Sequence, residues 1–360
     1  MVFSPRFVQG VISNIFPGLR KTQKVNLGLA VYGQVVSQST ILSQIVREVP
    51  GAVKHKSRFN RLYRFVSNPR VKPERLFEPW IPWVVARFVP GRYVTIALDW
   101  TGLPGSLMCL TAGLVLFGRA IPLLWQVIQY SGIKDSMNRI EERAVTRLVN
   151  LLPSGKKLVL LADRGFGRTE FLRFLLEKDI LFAVRVKNTV RVQPAGKRAF
   201  LLSTLAKKLT AEVPVWYPST SYRDDGAIPV ISLAAVVAKD SSDPWFLATN
   251  LKSPARTISA YASRFQIEEG FKDAKHLLGL EHIQTRSLVR TRRLLLITAV
   301  SQAILMLTGK LAFRMTKLKA SLVTGGNQVC SRIWLAIHVI KQQLLGQPFW
   351  TRVRTVATGP

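Results

Sequence analysis

A 360-residue chain with 52 Lys and Arg against 20 Asp and Glu carries a formal charge of +32, a self-repulsion that opposes compaction unless polyanions offset it. Its hydrophobic fraction of 48% is that of a globular protein with a sizeable core, so nucleic acid is the partner the charge favours over a membrane surface. Two cysteines, Cys109 and Cys330, and four histidines exclude a disulfide framework and a zinc pattern.

The opening MVFSPRFVQG lacks a charged start followed by an apolar block and a small-residue cleavage site, so a cytoplasmic, nucleoid-associated protein is expected. The first 75 residues hold 13 Lys and Arg but only two acids, Glu48 and Glu74. Helical periodicity runs from Val25 to Val36 and from Thr40 to Val49, and the next segment interleaves basic residues with Phe59, Tyr63 and Phe65. These features fit a small helical DNA-binding head, or else a solvated basic face. Pro73 to Phe88 predicts a helix, broken at Pro82, that links this head to the body.

The body opens with Tyr93 to Leu98, a short β-rich run ending in Asp99, and the apolar stretches LMCLTAGLVLFG and AIPLLWQVIQY predict two further strands. Asn138 to Leu152 is amphipathic and helical. KLVLLADRGFG is another apolar strand that ends in an acid, Asp163; Thr169 to Asp179 then predicts a helix and ILFAVRVK a strand. Strand, helix, strand at this spacing implies parallel pairing within a mixed α/β sheet. From about Asn188 to Ser242 the rhythm is lost among Pro- and Ser-rich turns, Asp224-Asp225-Gly226 and a strand at PVISLAAVVAK, which reads as a largely β insertion. WFLATN predicts a strand, and the remainder is mostly helical. The longest apolar run, Leu294 to Gly309, is interrupted by Ser301 and Gln302 and falls short of the roughly 20 residues of a membrane span. It reads as a buried core helix.

The segment YASRFQIEEGFKDAK, Tyr261 to Lys275, sets two adjacent carboxylates among cations. At about 100° per residue on a helix, Tyr261, Arg264, Glu268, Lys272 and Lys275 share one polar stripe, with Ile267, Phe271, Ala274 and Leu278 to one side. A solvated face with pairs such as Glu268–Lys272 would account for the stripe alone. Asp99 and Asp163 shift that balance. Each stands at the carboxyl end of an apolar strand, and such ends gather at one rim of a mixed sheet, where ligands bind. Three carboxylates without His or Cys suit Mg²⁺ or Mn²⁺. Two such ions would activate a water and stabilise the departing oxygen of a phosphodiester.

Here the chain resembles a family. The spacing Tyr261-x2-Arg264-x3-Glu268-x6-Lys275 matches the Y-R-E-K signature of the bacterial "insertion-sequence four" family of DDE transposases, with Asp99 in ALDWT and Asp163 in LADRGF at its first two acids. FAVRVK resembles the segment that follows the second acid, and PWFLATNL with LGLEH resembles the hairpin-forming, cut-and-paste members. The likeness covers roughly residues 55 to 290.

The resemblance implies a ribonuclease-H-like mixed-sheet catalytic core with a β-rich insertion, plus a helical N-terminal DNA-binding head and a helical C-terminal region. The expected divisions are 1–88 for head and linker, 89–187 for the first part of the core, and 188–252 for the insertion. The catalytic helix and the helix after it would span 253–310, and the C-terminal region 311–360. The implied ligands of two Mg²⁺ or Mn²⁺ ions are Asp99, Asp163 and Glu268, with Tyr261, Arg264 and Lys275 gripping the DNA backbone. Trp245 would stack on a base flipped out at the hairpin, or else be a core aromatic. Arg185 would contact DNA nearby, or else be a surface arginine. The implied partners are the inverted-repeat ends of an element and target DNA, bound by a homodimer. Two other readings stay open: a nuclease or resolvase on the same core, and a DNA-binding protein derived from a transposase.

Overall fold

In a computed structural model of the chain, residues 2–129, 137–223, 228–238, 243–315 and 331–359 are described. The expected turn at Asp224 to Gly226 and the second cysteine, Cys330, lie outside them. Five helices come first: α1 (Pro5–Ile15), α2 (Lys21–Ser37), α3 (Leu42–Glu48), α4 (His55–Ser67) and α5 (Pro73–Phe88). Ser4 starts α1 by accepting the Phe7 N–H, with Pro5 at the first helical position, where its missing donor costs nothing. The helix expected to break at Pro82 does not break. α5 runs on through Pro79 and Pro82, its face held by Phe77, Trp80, Trp83 and Val84 in the core.

Three antiparallel strands follow: β1 (Tyr93–Leu103), β2 (Leu107–Leu116) and β3 (Arg119–Gln129). Phe117 and Gly118 make the tight turn between β2 and β3, both at positive φ (53° and 80°), as a two-residue hairpin turn requires. After helix α6 (Met137–Leu151), strand β4 (Lys157–Ala162) returns parallel to β1; after α7 (Thr169–Glu177), β5 (Leu181–Arg185) lies parallel to β4. Strands buried on both faces must be apolar at every position. Ile96 and Leu98, Leu158 and Leu160, and Phe182 and Val184 enter the main core, while Ala97, Val159, Leu161 and Ala183 enter a second cluster across the sheet.

The segment expected as an insertion adds β6 (Arg191–Pro194), β7 (Phe200–Leu201), the short α8 (Leu202–Ala206), β8 (Val215–Tyr222) and β9 (Ile228–Val236), before β10 (Trp245–Thr249). β10 pairs antiparallel with β5. One ten-stranded sheet results, in the order β3-β2-β1-β4-β5-β10-β9-β8-β6-β7. Its first five strands, with α6 and α7 as crossovers, fit the ribonuclease-H-like expectation.

Helices α9 (Pro254–Ala262) and α10 (Gln266–Lys272) cover the second face, and α11 (Leu288–Ala312) crosses the main core. Gly270 lets α10 rest directly on β3, since a Cβ there would meet the Ala120 carbonyl oxygen at 2.6 Å. α11 is 25 residues long, more than the apolar run suggested, and by length and composition it could cross a membrane. It is instead 89% buried within the protein over its most apolar window. Its two interrupting polar residues are ties. Ser301 donates to Gln34 Oε1 on α2 (2.9 Å), and Gln302 donates to the Gly270 carbonyl on α10 (2.9 Å). Gln34 in turn donates to Thr298 Oγ1 (3.0 Å) and to the Leu278 carbonyl (3.2 Å). The N-terminal helices and the C-terminal helices Arg332–Lys341 and Gln347–Thr358 thus share one continuous core with the body, from Phe7 to Ala357.

Candidate active site

Register places the first two acids. Leu98 of β1 is paired with Ala162 of β4, so Asp99 and Asp163 follow at the same level on adjacent strands, which lie about 4.8 Å apart in a sheet. Ala162 is likewise paired with Val184 of β5, which sets Arg185 at this same rim. β1 continues beyond the rim, with Asp99 opposite Thr111 of β2, whereas β4 ends and the chain turns. Asp163 is fixed in that turn by its own Oδ1, which accepts the Gly165 N–H at 2.9 Å.

Glu268 comes from the first turn of α10. Burial pushes the Asp99 carboxyl up to about 6; the Arg264 guanidinium opposes this, and the charges of Asp163 and Glu268 add to it. Asp163 and Glu268 are therefore both near enough to act on Asp99. Arg264 sits among them, its side chain 8% exposed, donating to Glu268 Oε1 at 2.6 Å. Its guanidinium lies 4.8 Å from the Phe265 ring centroid and 5.9 Å from that of Tyr261. Burial would lower its pKa, but Tyr261, Glu268 and Asp99 together outweigh that and raise it. Arg264 stays charged, and its Nε is buried with no hydrogen-bond partner among the described residues.

The stripe drawn from an ideal helix is not one surface. A 3₁₀ turn at Ser263–Phe265 separates α9 from α10, and a π-helical turn follows at Asp273–Leu277, so the phase slips twice. Tyr261 is 1% exposed in the second core cluster, and burial, opposed by Arg264, raises its phenol pKa. Lys272 pairs with Glu269, not with Glu268, and Arg119 of β3 bridges Glu269 (3.4 Å) and Asp273 (2.7 Å). Lys275 lines a small apolar cavity with Thr101 and Gly102, beyond Asp99 on β1.

Trp245 is 7% exposed, edge-on to Tyr261 at 5.1 Å and stacked on Phe265 at 5.8 Å. The ring open to solvent is Phe265, 39% exposed. Arg185 is held by Asp243 (2.6 Å) and the Pro244 carbonyl (3.1 Å).

Sequence reasoning missed Phe265 and a buried acid, Glu141. On α6, Glu141 is 1% exposed; its Oε1 accepts from the Trp100 indole at 2.8 Å, and its Oε2 pairs with Arg168. The available signal was a carboxylate on the apolar stripe Ile140, Ala144, Val145 and Leu148.

The donor chemistry of Asp99, Asp163 and Glu268, hard oxygens with mutually repelling charges, fits a divalent cation. Among the described residues, no three His, Cys, Asp or Glu side chains converge closely enough to hold a metal ion. Here Glu268 is engaged by Arg264 instead. A family model described as "Transposase DDE domain" matches residues 123–303, half of the chain; the match contains Asp163 and Glu268 and begins after Asp99. Among curated proteins nothing matches the chain.

Proposed function

Because the chain belongs to the transposase DDE-domain family, we propose that it excises and inserts a DNA element through phosphodiester hydrolysis and transesterification, with a hairpin intermediate. The observation that carries the reading is the pairing of Leu98 with Ala162. It supports a site with Asp99 and Asp163 side by side at a sheet rim, near enough to Glu268 and Arg264 for their charges to act on Asp99.

Asp99, Asp163 and Glu268 would hold the Mg²⁺ or Mn²⁺ ions, which when bound supply water activation and stabilise the departing oxygen. Water adds to the phosphorus at the element's end, and the 3′-oxygen leaves and takes a proton. That 3′-hydroxyl then attacks the phosphodiester of the opposite strand, so one P–O bond forms as another breaks and the flanking DNA departs on its own 3′-hydroxyl. A second hydrolysis reopens the hairpin, and the same 3′-hydroxyl is joined to target DNA.

Arg264, charged and paired with Glu268, would hold a backbone phosphate near the acids through its guanidinium charge. Lys275 supplies a point charge beyond Asp99, and Tyr261 supports Arg264 from below. Phe265, stacked on Trp245 and 39% exposed, is the aromatic ring that a displaced base would reach first. Trp245 becomes available to a base only if Phe265 moves. The substrates are the double-stranded ends of the element and its target, and the working form is a homodimer on DNA.

The test is a time course on labelled duplex carrying the end of the encoding element, with and without Mg²⁺. Asp99→Asn should abolish nicking while metal-free binding stays within about twofold, because affinity comes mainly from Lys and Arg. Arg264→Ala should reduce hairpin formation more than nicking. Nicking without any hairpin or joining in the unaltered protein would replace this reading with a nuclease or resolvase.

A further inference from the structure

A chain of hydrogen bonds runs behind the candidate site. The Trp100 indole, next to Asp99, donates to Glu141 Oε1 at 2.8 Å. Arg168 pairs with the other oxygen, Oε2, and through Nη1 donates to the Gly165 carbonyl at 2.6 Å. Gly165, in turn, donates its N–H to Asp163 Oδ1 at 2.9 Å. Each oxygen of one buried carboxylate thus reaches toward a different acid of the rim.

We propose that Glu141 is a positioning residue that sets the spacing of Asp99 and Asp163; this rests on the functional reading above and concerns the same site. Three observations carry it. Glu141 is 1% exposed, and burial raises its pKa against the pull of Trp100 and Arg168, so keeping it ionised is costly. An apolar residue at this point of α6 would extend the stripe of Ile140, Ala144 and Val145 at no such cost. Finally, both partners belong to the two segments that carry the acids, and to no other part of the fold. The Asp163 turn has further ties, Phe166 N–H to the Asp163 carbonyl (3.1 Å) and Tyr222 hydroxyl to the Gly167 carbonyl (2.7 Å). These hold the backbone of the turn. Beside the backbone pairing of Leu98 with Ala162, the path through Arg168 and Glu141 joins the turn to the strand of Asp99 through side chains.

Groups behind metal-binding carboxylates orient them, and losing one typically costs about 10–100-fold in metal affinity or activity. Glu141→Gln keeps an acceptor for Trp100 but loses the charge that holds Arg168. In that variant, kcat for nicking should fall at least tenfold with KM for DNA unchanged. The concentration of Mn²⁺ at half-saturation, measured by electron paramagnetic resonance on the protein bound to an uncleavable duplex, should rise at least fivefold. Metal-free DNA binding should stay within about twofold. A folded Glu141→Gln protein with unaltered nicking and Mn²⁺ affinity overturns the proposal.

Should Glu141→Gln fail to fold, the paired change Glu141→Leu with Arg168→Leu replaces both charges by apolar groups, which buried pairs tolerate. It should fold, bind DNA and show the same catalytic and Mn²⁺ losses; wild-type behaviour would sink the idea. If the unaltered protein binds Mn²⁺ but cuts no DNA, the functional reading fails while the Mn²⁺ comparison still decides the role of Glu141. If the unaltered protein binds no Mn²⁺, both fall.

Discussion

Asp99 shows what a single residue contributes and what it costs. Its pKa rises from 3.8 to about 6, chiefly through burial. The folded protein therefore binds this proton more tightly than the unfolded chain does. Stability must fall as pH rises through the window from about 4 to about 6, and the full penalty persists above it. About two pH units correspond to roughly 3 kcal/mol, discounted to about 1–2 kcal/mol for the partial exposure of the carboxyl. Metal-free Asp99→Asn should thus be more stable than the unaltered protein in urea unfolding at pH 8, with the advantage gone near pH 4. Equal stability at pH 8 would mean that Arg264 already neutralises Asp99. At this scale the sequence could propose Asp99, Asp163, Glu268 and Arg264, because strand ends and fixed spacings are local. It was not readable for Glu141, whose partners lie 41 and 27 residues away.

At the scale of elements, α10 decides whether Glu268 reaches the rim. Alanine normally stabilises a helix over glycine by about 1 kcal/mol. At Gly270 the sign should reverse, because a Cβ would stand 2.6 Å from the Ala120 carbonyl oxygen and 3.0 Å from its nitrogen. Both are backbone atoms of β3 and cannot swing aside. Gly270→Ala should therefore destabilise by about 1–3 kcal/mol, as overpacking does, and slow nicking, since Glu268 lies on the same helix. A variant more stable than the original in urea titration would show that α10 does not rest on β3. The helical wheel gave Tyr261 and Lys272 surroundings that they do not have. It assumes a constant step, and the 3₁₀ and π turns on either side of α10 break it. Tyr261 consequently faces Trp245 in the core. The strands were easier to read, because residues buried on both faces leave an unbroken apolar run.

Across the whole molecule, the basic N-terminal segment shows what composition leaves open about architecture. Its charge suggested a DNA-binding head; in the fold Leu62, Phe65 and Val66 of α4 enter the same core as α11, and Gln34 of α2 is tied to Thr298 and Ser301. Periodicity shows that a helix has an apolar face; it does not show what that face meets. Removing residues 1–70 would strip one side of the main core, so any loss of DNA recognition would be confounded with unfolding. The charge can be tested without the cut. Lys54, Lys56 and Arg64 are exposed around the start and outer face of α4, away from its buried side. Changing all three to Gln should leave stability within about 0.5 kcal/mol, as surface substitutions do. If this face lies along the DNA, each lost phosphate contact should reduce the slope of log K against log salt by about 0.9. The triple variant should then lose up to about 2.7 of the slope, measured by fluorescence anisotropy on a duplex across a salt series. An unchanged slope in a stably folded variant would assign the excess charge of α4 to some other partner and leave DNA binding to the rim and the helices above it.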